Sequence, residues 1–195
     1  FTSSSDMEVV PHLIEAHGLD GISRLRGMFA LVVSDKEKNA IHLVRDRMGE
    51  KPINYYRVGS TTFFASEQSA LIMSKVVPSE IDPGLLPNYL LHGFVPEPHS
   101  LVTGVNKVAA GHILSISLTD GSHTQKQYWD PMEFVGSKPL NTKDLWEVIE
   151  ESIEVSCTSD RPVGISLSGG LDSSLVAALA TTHRTELHAF TVGYE

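Results

Sequence analysis

Short apolar runs separated by polar turns predict paired β-strands along the first 130 residues. Within the runs, apolar and polar side chains alternate, as they do in strands with one buried face. Three hairpins are predicted, around the turns KEKN, VGS and TDGS at residues 36–39, 58–60 and 119–122. Helical spacing predicts a helix over residues 6–17, with Asp6 as its N-cap, and a shorter helix over residues 67–76.

The spacing of apolar positions changes near Pro139, from about two residues to about 3.6. Residues 141–157 predict an amphipathic helix with Asn141 or Thr142 as its N-cap. Its predicted shared face contains Leu145, Ile149, Ser152 or Ile153, and Ser156.

A strand, a helix and a second strand are predicted to follow, at residues 163–167, 172–182 and 187–192. This order is typical of a parallel sheet, because parallel strands need a crossover such as a helix between them. Two domains are therefore expected, at residues 1–135 and 138–195, with their boundary in the stretch 130–141.

Composition and charge narrow the class of protein. The 195 residues include 41% hydrophobic side chains, which is enough for a sizeable core. A net charge of −9 argues against a nucleic-acid partner, which needs a basic surface. The single cysteine, Cys157, favours a reducing compartment, so a cytoplasmic location is expected. No apolar run reaches the roughly 18 residues of a membrane-spanning helix, so no membrane partner is expected.

The stretch SLSGGLDSS, at residues 166–174, carries the most specific chemistry. Gly169 and Gly170 follow an apolar strand and allow positive φ and close approach of the backbone to a ligand. The N–H groups of the next helix favour an anion, above all phosphate. Ser168 and Ser173 add hydroxyl donors, and Asp172 suits Mg²⁺ that is shared with phosphates. The alternative is a structural turn in which Asp172 or Ser168 only caps the helix.

Other candidate binding side chains have competing interpretations. Arg45, Arg47 and Lys51 in RDRMGEK could bind an anion, or they could form an ion-paired hairpin end with a turn at Met48 and Gly49. The nine histidines show no spacing typical of a metal site.

The SGGLDSS stretch resembles the pyrophosphate loop of the ATP pyrophosphatase superfamily. With SDRPVGISL before it and FTVGYE after it, the chain resembles one branch, the glutamine-hydrolysing asparagine synthetase family. Further motifs occur upstream in the family's order: SDMEVV, LRGMFALVVSD, LVRDRMGEKPINYY, FFASEQSAL, LLHGFVPEP, GVNKVAAGH and YWDP. These motifs are similar to the second half of a class II glutamine amidotransferase domain.

This resemblance implies a fold and a reaction. Residues 1–135 are expected to form the C-terminal half of an α+β, two-sheet αββα N-terminal-nucleophile amidotransferase domain. The remainder is expected to begin an α/β parallel-sheet domain of adenine nucleotide α-hydrolase type. The parent ligase would take ammonia from glutamine and, with ATP and Mg²⁺, adenylate aspartate on the way to asparagine. Glutamine, aspartate and ATP are thus the implied partners, and a homodimer is the assembly considered.

The resemblance also implies roles for residues of this chain. Asp6 matches the acid that holds the amino group of glutamine, with the helix N-cap as the competing interpretation. Leu167 matches a backbone contact to ATP, and Val192 matches a contact to its adenine side. The pyrophosphate loop corresponds to Ser168, Gly169, Gly170, Asp172 and Ser173. Asp172 is also the residue expected at Mg²⁺, through the pyrophosphate.

The sequence departs from the family pattern in places. Ser4 stands where the family has glycine, and the family's N-terminal nucleophilic cysteine and NGE segment are not in this sequence. Phe1 is not a nucleophile, so we expect an internal fragment that is inactive alone and has no catalytic residue of its own. Two alternatives stay open. One is a related amidotransferase for another carboxylate, in a β-lactam, lasso-peptide or surface-sugar pathway; the other is a non-catalytic nucleotide-binding module.

Overall fold

The computed structural model describes residues 1–136 and 141–193. The chain divides into two compact units, Phe1–Phe134 and Val135–Glu195. Pro139, near which the apolar spacing changes, lies outside the described residues. None of the helices in the described ranges combines the length and the apolar character that crossing a bilayer requires.

Antiparallel strands form the framework of the first unit. They are Ala30–Asp35 (β1), Ala40–Arg45 (β2), Asn54–Val58 (β3), Thr61–Ala65 (β4), Val105–Lys107 (β5), His112–Ser117 (β6) and His123–Gln127 (β7). One sheet has the order β1-β2-β6-β7, and the other has the order β4-β3-β5. The three predicted hairpins are confirmed as the pairs β1–β2, β3–β4 and β6–β7. The predicted two-sheet α+β character of this part is thereby confirmed as well.

The start of the first helix differs from the prediction. The described helices of this unit include Val9–His17 (α1), Gln68–Met73 (α2) and Leu86–His92 (α3), and the 3-10 turn Asp6–Glu8 precedes α1. Ser5 caps that turn, because its hydroxyl accepts a hydrogen bond from the Met7 N–H at 3.3 Å. The prediction of Asp6 as N-cap is therefore wrong. A serine hydroxyl caps about as well as a carboxylate, which leaves the Asp6 side chain for another role.

The four-stranded sheet has a different apolar core on each face. One core contains Leu43, Ile53, Val108, Leu114 and Ile116. The other contains Ile22, Leu31, Val44 and Ile113, with partly buried side chains of α1 packed against it. Successive residues of a strand point to opposite faces, so Leu43 and Val44 belong to different cores.

Asp46 organises the turn that follows β2. Only 1% of this residue is exposed. Its carboxylate accepts hydrogen bonds from the backbone N–H groups of Phe29, Met48, Glu50 and Lys51, at 2.9 to 3.3 Å. A carboxylate withdrawn from water needs such donors, because its burial is otherwise costly. The turn is therefore held around a single side chain.

Arg45 connects the two sheets of the first unit. It is the last residue of β2, and its guanidinium donates to the carbonyl oxygens of Lys51, at 3.1 Å, and Val108, at 2.7 Å. Lys51 lies shortly before β3, and Val108 directly follows β5. An ion pair of 2.7 Å with Glu97 offsets the charge of Arg45. For Arg45, the ion-paired interpretation is therefore correct and the anion site is not.

The second unit confirms the predicted order of helices and parallel strands. Its elements are Thr142–Cys157 (α4), Gly164–Ser166 (β8), Leu171–His183 (α5) and His188–Phe190 (β9). Strands β8 and β9 are parallel. Asn141 caps α4, because its side-chain oxygen accepts a hydrogen bond from the Asp144 N–H at 3.0 Å.

The buried face of α4 differs in part from the predicted one. Ile153 and Cys157 are buried, and Ile149 packs against the same core. Leu145 is 47% exposed and Ser156 is exposed, so neither contributes to this core. Residues four apart share a face of a helix, which places Cys157 in line with Ile153. The thiol therefore acts as a small apolar side chain.

The replacement of Asp46 by alanine tests the role of its carboxylate. Asp46→Ala removes the acceptor of several buried N–H groups, and we expect it to lower the free energy of unfolding by about 3 kcal/mol. Urea unfolding of the full-length protein, followed by circular dichroism, measures this loss. Glu50→Ala changes an exposed side chain of the same turn and should cost under about 0.5 kcal/mol. Equal effects of the two substitutions would contradict the role given to Asp46.

Candidate functional site

Residues 168–173, called the SGG loop below, comprise the turn between β8 and α5 and the first three residues of α5. Just before the loop, the Leu167 N–H donates to the carbonyl oxygen of Phe190 at 2.8 Å, which extends the pairing of β8 with β9. Gly169 has a φ of 80°, a left-handed conformation that costs glycine little. Gly170 has a φ of −75° and is the N-cap of α5. Both glycines allow a positive φ, and of the two only Gly169 adopts one.

Two serine hydroxyls meet inside the SGG loop. The Oγ atoms of Ser168 and Ser173 are 3.0 Å apart. Ser168 Oγ also accepts a hydrogen bond from the Gly170 N–H at 3.4 Å, and Ser173 Oγ donates to the Gly170 carbonyl at 3.2 Å. These contacts hold the loop in shape while Ser168 stays exposed to solvent.

The N-terminus of α5 offers backbone donors beside these hydroxyls. The backbone hydrogen bonds of α5 begin with the Ser174 N–H, which donates to the Gly170 carbonyl at 3.1 Å. Within the described part of the chain, no side chain caps this helix. Of the two residues of the capping alternative, Asp172 therefore does not cap the helix, and Ser168 accepts only the N–H of the N-cap residue, Gly170. Uncapped N–H groups and the positive end of the helix dipole favour an anion.

Asp172 lies in the first turn of α5 and is exposed. No cluster of three or more His, Cys, Asp or Glu side chains suited to a metal occurs in residues 1–136 and 141–193. A lone carboxylate fits Mg²⁺ when phosphates supply further ligands, since Mg²⁺ is commonly held by one or two carboxylates and substrate phosphates. The donor set of the loop is thus suited to a magnesium-bound phosphate.

Leu167 and Val192 lie at the same edge of the parallel sheet as the SGG loop. Leu167 directly follows β8, and Val192 lies two residues beyond β9 and is 81% exposed. The carboxyl ends of parallel strands meet at one edge, where ligands bind in open α/β sheets. The structure therefore brings the expected ATP-site residues to one edge, whereas Asp6 belongs to the first unit.

Arg184 supports the segment that leads into β8. It is the C-cap of α5, and its guanidinium donates to the carbonyl oxygens of Cys157 and Ser159, at 2.6 and 2.5 Å. Cys157 is the last residue of α4, where a helix leaves carbonyl groups without intrahelical partners, and Ser159 lies two residues beyond it. The sequence carries no signal for this role beyond a basic residue near a helix C-terminus.

Asp6 and Glu8 share one 3-10 turn but have different surroundings. The Asp6 side chain is exposed, and its carboxylate has no hydrogen bond or ion pair with another described residue. Glu8 accepts hydrogen bonds from the N–H and hydroxyl of Thr2, at 2.5 and 3.0 Å, and from those of Ser3, at 2.7 and 2.6 Å. These bonds, led by that from the Ser3 hydroxyl, lower the pKa of Glu8 to about 2.

Comparisons with known proteins identify two families. Residues 1–129 match the family model of the glutamine amidotransferase domain, and residues 144–195 match that of asparagine synthase. Asparagine synthetase [glutamine-hydrolyzing] 1 of Bacillus subtilis is 35% identical over 201 residues, covering 100% of this chain and 31% of the relative. Amidase chyE of Penicillium rubens is 31% identical over 191 residues, covering 92% of this chain and 27% of the relative.

A solved structure is also similar to this chain. It is the glutamine phosphoribosylpyrophosphate amidotransferase of B. subtilis in complex with ADP and GMP. The sequence identity is 17%, the match covers 98% of this chain and 40% of the other, and the TM-score is 0.45. The chain spans less than a third of the length of the two curated relatives described above.

The lowered pKa of Glu8 leads to a test by pH titration. Its folded value of about 2 lies below the ordinary 4.5, so these hydrogen bonds contribute stability that is fully present above pH 4.5 and is lost as the pH falls through about 2. In the full-length protein, we expect the Thr2 and Ser3 amide resonances to titrate in NMR spectra with a midpoint near pH 2. The transition should disappear in Glu8→Gln. A midpoint at the ordinary value would show that Glu8 does not hold this segment.

Proposed function

The chain belongs to the glutamine amidotransferase domain family, and we propose that it is part of a glutamine-hydrolysing asparagine synthetase. The full-length enzyme would activate aspartate with ATP as an acyl-adenylate, releasing pyrophosphate. Ammonia from glutamine would then displace AMP to form asparagine. The observation that carries this proposal is the SGG loop, in which Ser168 and Ser173 lie 3.0 Å apart beside the uncapped N-terminus of α5.

The SGG loop is proposed to bind the pyrophosphate part of ATP. Backbone N–H groups of the first turn of α5 supply donors for phosphate oxygens. The hydroxyls of Ser168 and Ser173 add theirs when a phosphate oxygen replaces their contacts with each other and with the Gly170 carbonyl. A Cβ at Gly169 would meet no atom within 4 Å, so this glycine is needed for its φ and not for space. Donors held in place in this way stabilise the charge that develops on departing pyrophosphate.

Asp172 is proposed to lie beside an Mg²⁺ ion that is bound by the pyrophosphate part of ATP. The ion would offset the charge of the phosphates, which otherwise repel this carboxylate. The Leu167 backbone and Val192 complete the proposed site, with Val192 on the adenine side. The proposed ATP-binding residues are therefore Leu167, Ser168, Gly169, Gly170, Asp172, Ser173 and Val192.

In the first unit, Asp6 is proposed to hold the amino group of the substrate glutamine. Its carboxylate is exposed and is not used as a helix cap, so it can accept charge-assisted hydrogen bonds from an ammonium group.

We assign residues 1–135 to the glutamine amidotransferase domain and residues 138–195 to the synthetase domain. The single Cys157 supports a cytoplasmic enzyme.

A second candidate function keeps this chemistry and changes the acceptor. The similarity to Amidase chyE favours it, because that relative has another name and matches 92% of this chain. The SGG loop would serve both functions, since activation of any carboxylate as an acyl-adenylate releases pyrophosphate from ATP. Carboxylate-dependent ATP/pyrophosphate exchange, measured over a panel of carboxylates, separates the two. Exchange with aspartate alone supports the synthetase, and exchange with another acceptor alone supports the second candidate.

The replacement of Asp172 tests the proposed ATP site. In the full-length protein, Asp172→Ala is expected to reduce aspartate-dependent ATP/pyrophosphate exchange at least about a hundredfold, because it removes the carboxylate at Mg²⁺. Glutamine hydrolysis should persist. Glu186→Ala changes an exposed acid in the connection between α5 and β9 and is the control, with exchange unchanged. Full exchange activity in Asp172→Ala would refute the assignment of the loop.

A further inference from the structure

Two acids of the motif SDMEVV lie in one 3-10 turn, and the proposed function uses Asp6 alone. Glu8 is partly buried, with 15% of its side chain exposed. It packs under the segment of residues 2–5, which leads directly into Asp6. The contrast between these two carboxylates indicates different roles for them.

The acceptor capacity of Glu8 is used within the chain. One carboxylate oxygen accepts from the N–H and hydroxyl of Thr2, and the other accepts from the N–H and hydroxyl of Ser3. A carboxylate has about four acceptor positions, so these donors leave none for a ligand. His12 also faces Glu8, with its Nε2 atom 3.8 Å from Oε1. Glu8 is thus arranged to hold the chain and not to bind a substrate.

The hydrogen bonds of Glu8 continue to the residue before Asp6. Ser3 Oγ donates to Glu8 and accepts from the Ser5 N–H at 3.2 Å. Ser5 in turn accepts hydrogen bonds from the two residues that follow Asp6: its hydroxyl from the Met7 N–H, at 3.3 Å, and its carbonyl from the Glu8 N–H, at 3.2 Å. The backbone on either side of Asp6 is therefore tied to Glu8 or to Ser5.

We propose that Glu8 is a positioning residue for glutamine: it fixes residues 2–5 so that the Asp6 carboxylate stays oriented and available to the amino group of the substrate. This inference rests on the proposed function, which gives Asp6 its ligand. Ser5 takes over the capping of the turn, and Glu8 takes the hydroxyl and amide donors of Thr2 and Ser3. As a result, nothing within the described residues competes with a ligand for the acceptor atoms of Asp6.

The test compares glutamine with glutaramate, which is glutamine without its amino group, in the full-length protein. In Glu8→Gln, an amide NH₂ group would replace one carboxylate oxygen and could not accept the hydrogen bonds of Thr2 or Ser3. Because this loosens residues 2–5, we expect the KM for glutamine to rise about tenfold. The inhibition constant of glutaramate should change less than about twofold, because this compound makes no contact with Asp6. Ser3→Ala removes a single hydroxyl and should give a smaller change of the same kind. Glu15→Gln, an exposed acid of α1, is the matched control and should change neither constant.

The other outcomes overturn the inference in distinguishable ways. Equal weakening of glutamine and glutaramate in Glu8→Gln would show that Glu8 maintains the whole segment and does not act through Asp6. An unchanged KM in Glu8→Gln, together with a raised KM in Asp6→Asn, would refute the role of Glu8 and leave the proposed function intact. An unchanged KM in Asp6→Asn would refute the glutamine contact itself, and the role of Glu8 would fall with it.

Discussion

Arg45 and Asp46 lie side by side at the end of β2, and both are buried. Asp46 accepts the N–H groups of the following turn, and Arg45 donates to carbonyl groups next to β3 and β5. Backbone groups withdrawn from water must find partners, and here two charged side chains supply them. This pair thus satisfies backbone groups of the turn after β2 and of the chain next to β3 and β5. Gly49 is part of the same arrangement: a Cβ there would lie 2.9 Å from the Arg45 guanidinium.

In the second unit, this requirement is met at both ends of α4. Arg184 satisfies the carbonyl groups of Cys157, at the end of the helix, and of Ser159, just beyond it, and Asn141 caps its beginning. At the N-terminus of α5, by contrast, the N-cap is Gly170, which has no side chain to accept the first N–H groups of the helix, and Ser168 Oγ accepts only the N–H of Gly170 itself. A helix end that lacks a cap keeps its capacity for a ligand. In the first unit, Ser5 and Glu8 accept the nearby donors, so the Asp6 carboxylate likewise keeps its capacity for a ligand, as an acceptor that no described residue uses.

Local features of the structure could be predicted from the sequence, and contacts between distant residues could not. The hairpins and the SGG loop follow from turn residues and apolar spacing within short segments. Strand β5 has three residues, too few to show alternation. The bond of Arg45 to Val108 joins residues 63 apart, and that of Arg184 to Cys157 joins residues 27 apart, so no local pattern reveals either. The cap at Ser5 was missed because several capping residues, 3–6, occur in a row.

We propose that the SGG loop binds the pyrophosphate part of magnesium ATP. A crystal structure of the full-length protein with magnesium ATP tests it most directly. We expect phosphate oxygens within hydrogen-bond distance of Ser168 Oγ, Ser173 Oγ and the first N–H groups of α5, and the metal ion on the side of Asp172. Phosphates bound elsewhere, with the SGG loop unchanged and in contact with solvent alone, would contradict the assignment of this loop as the pyrophosphate site.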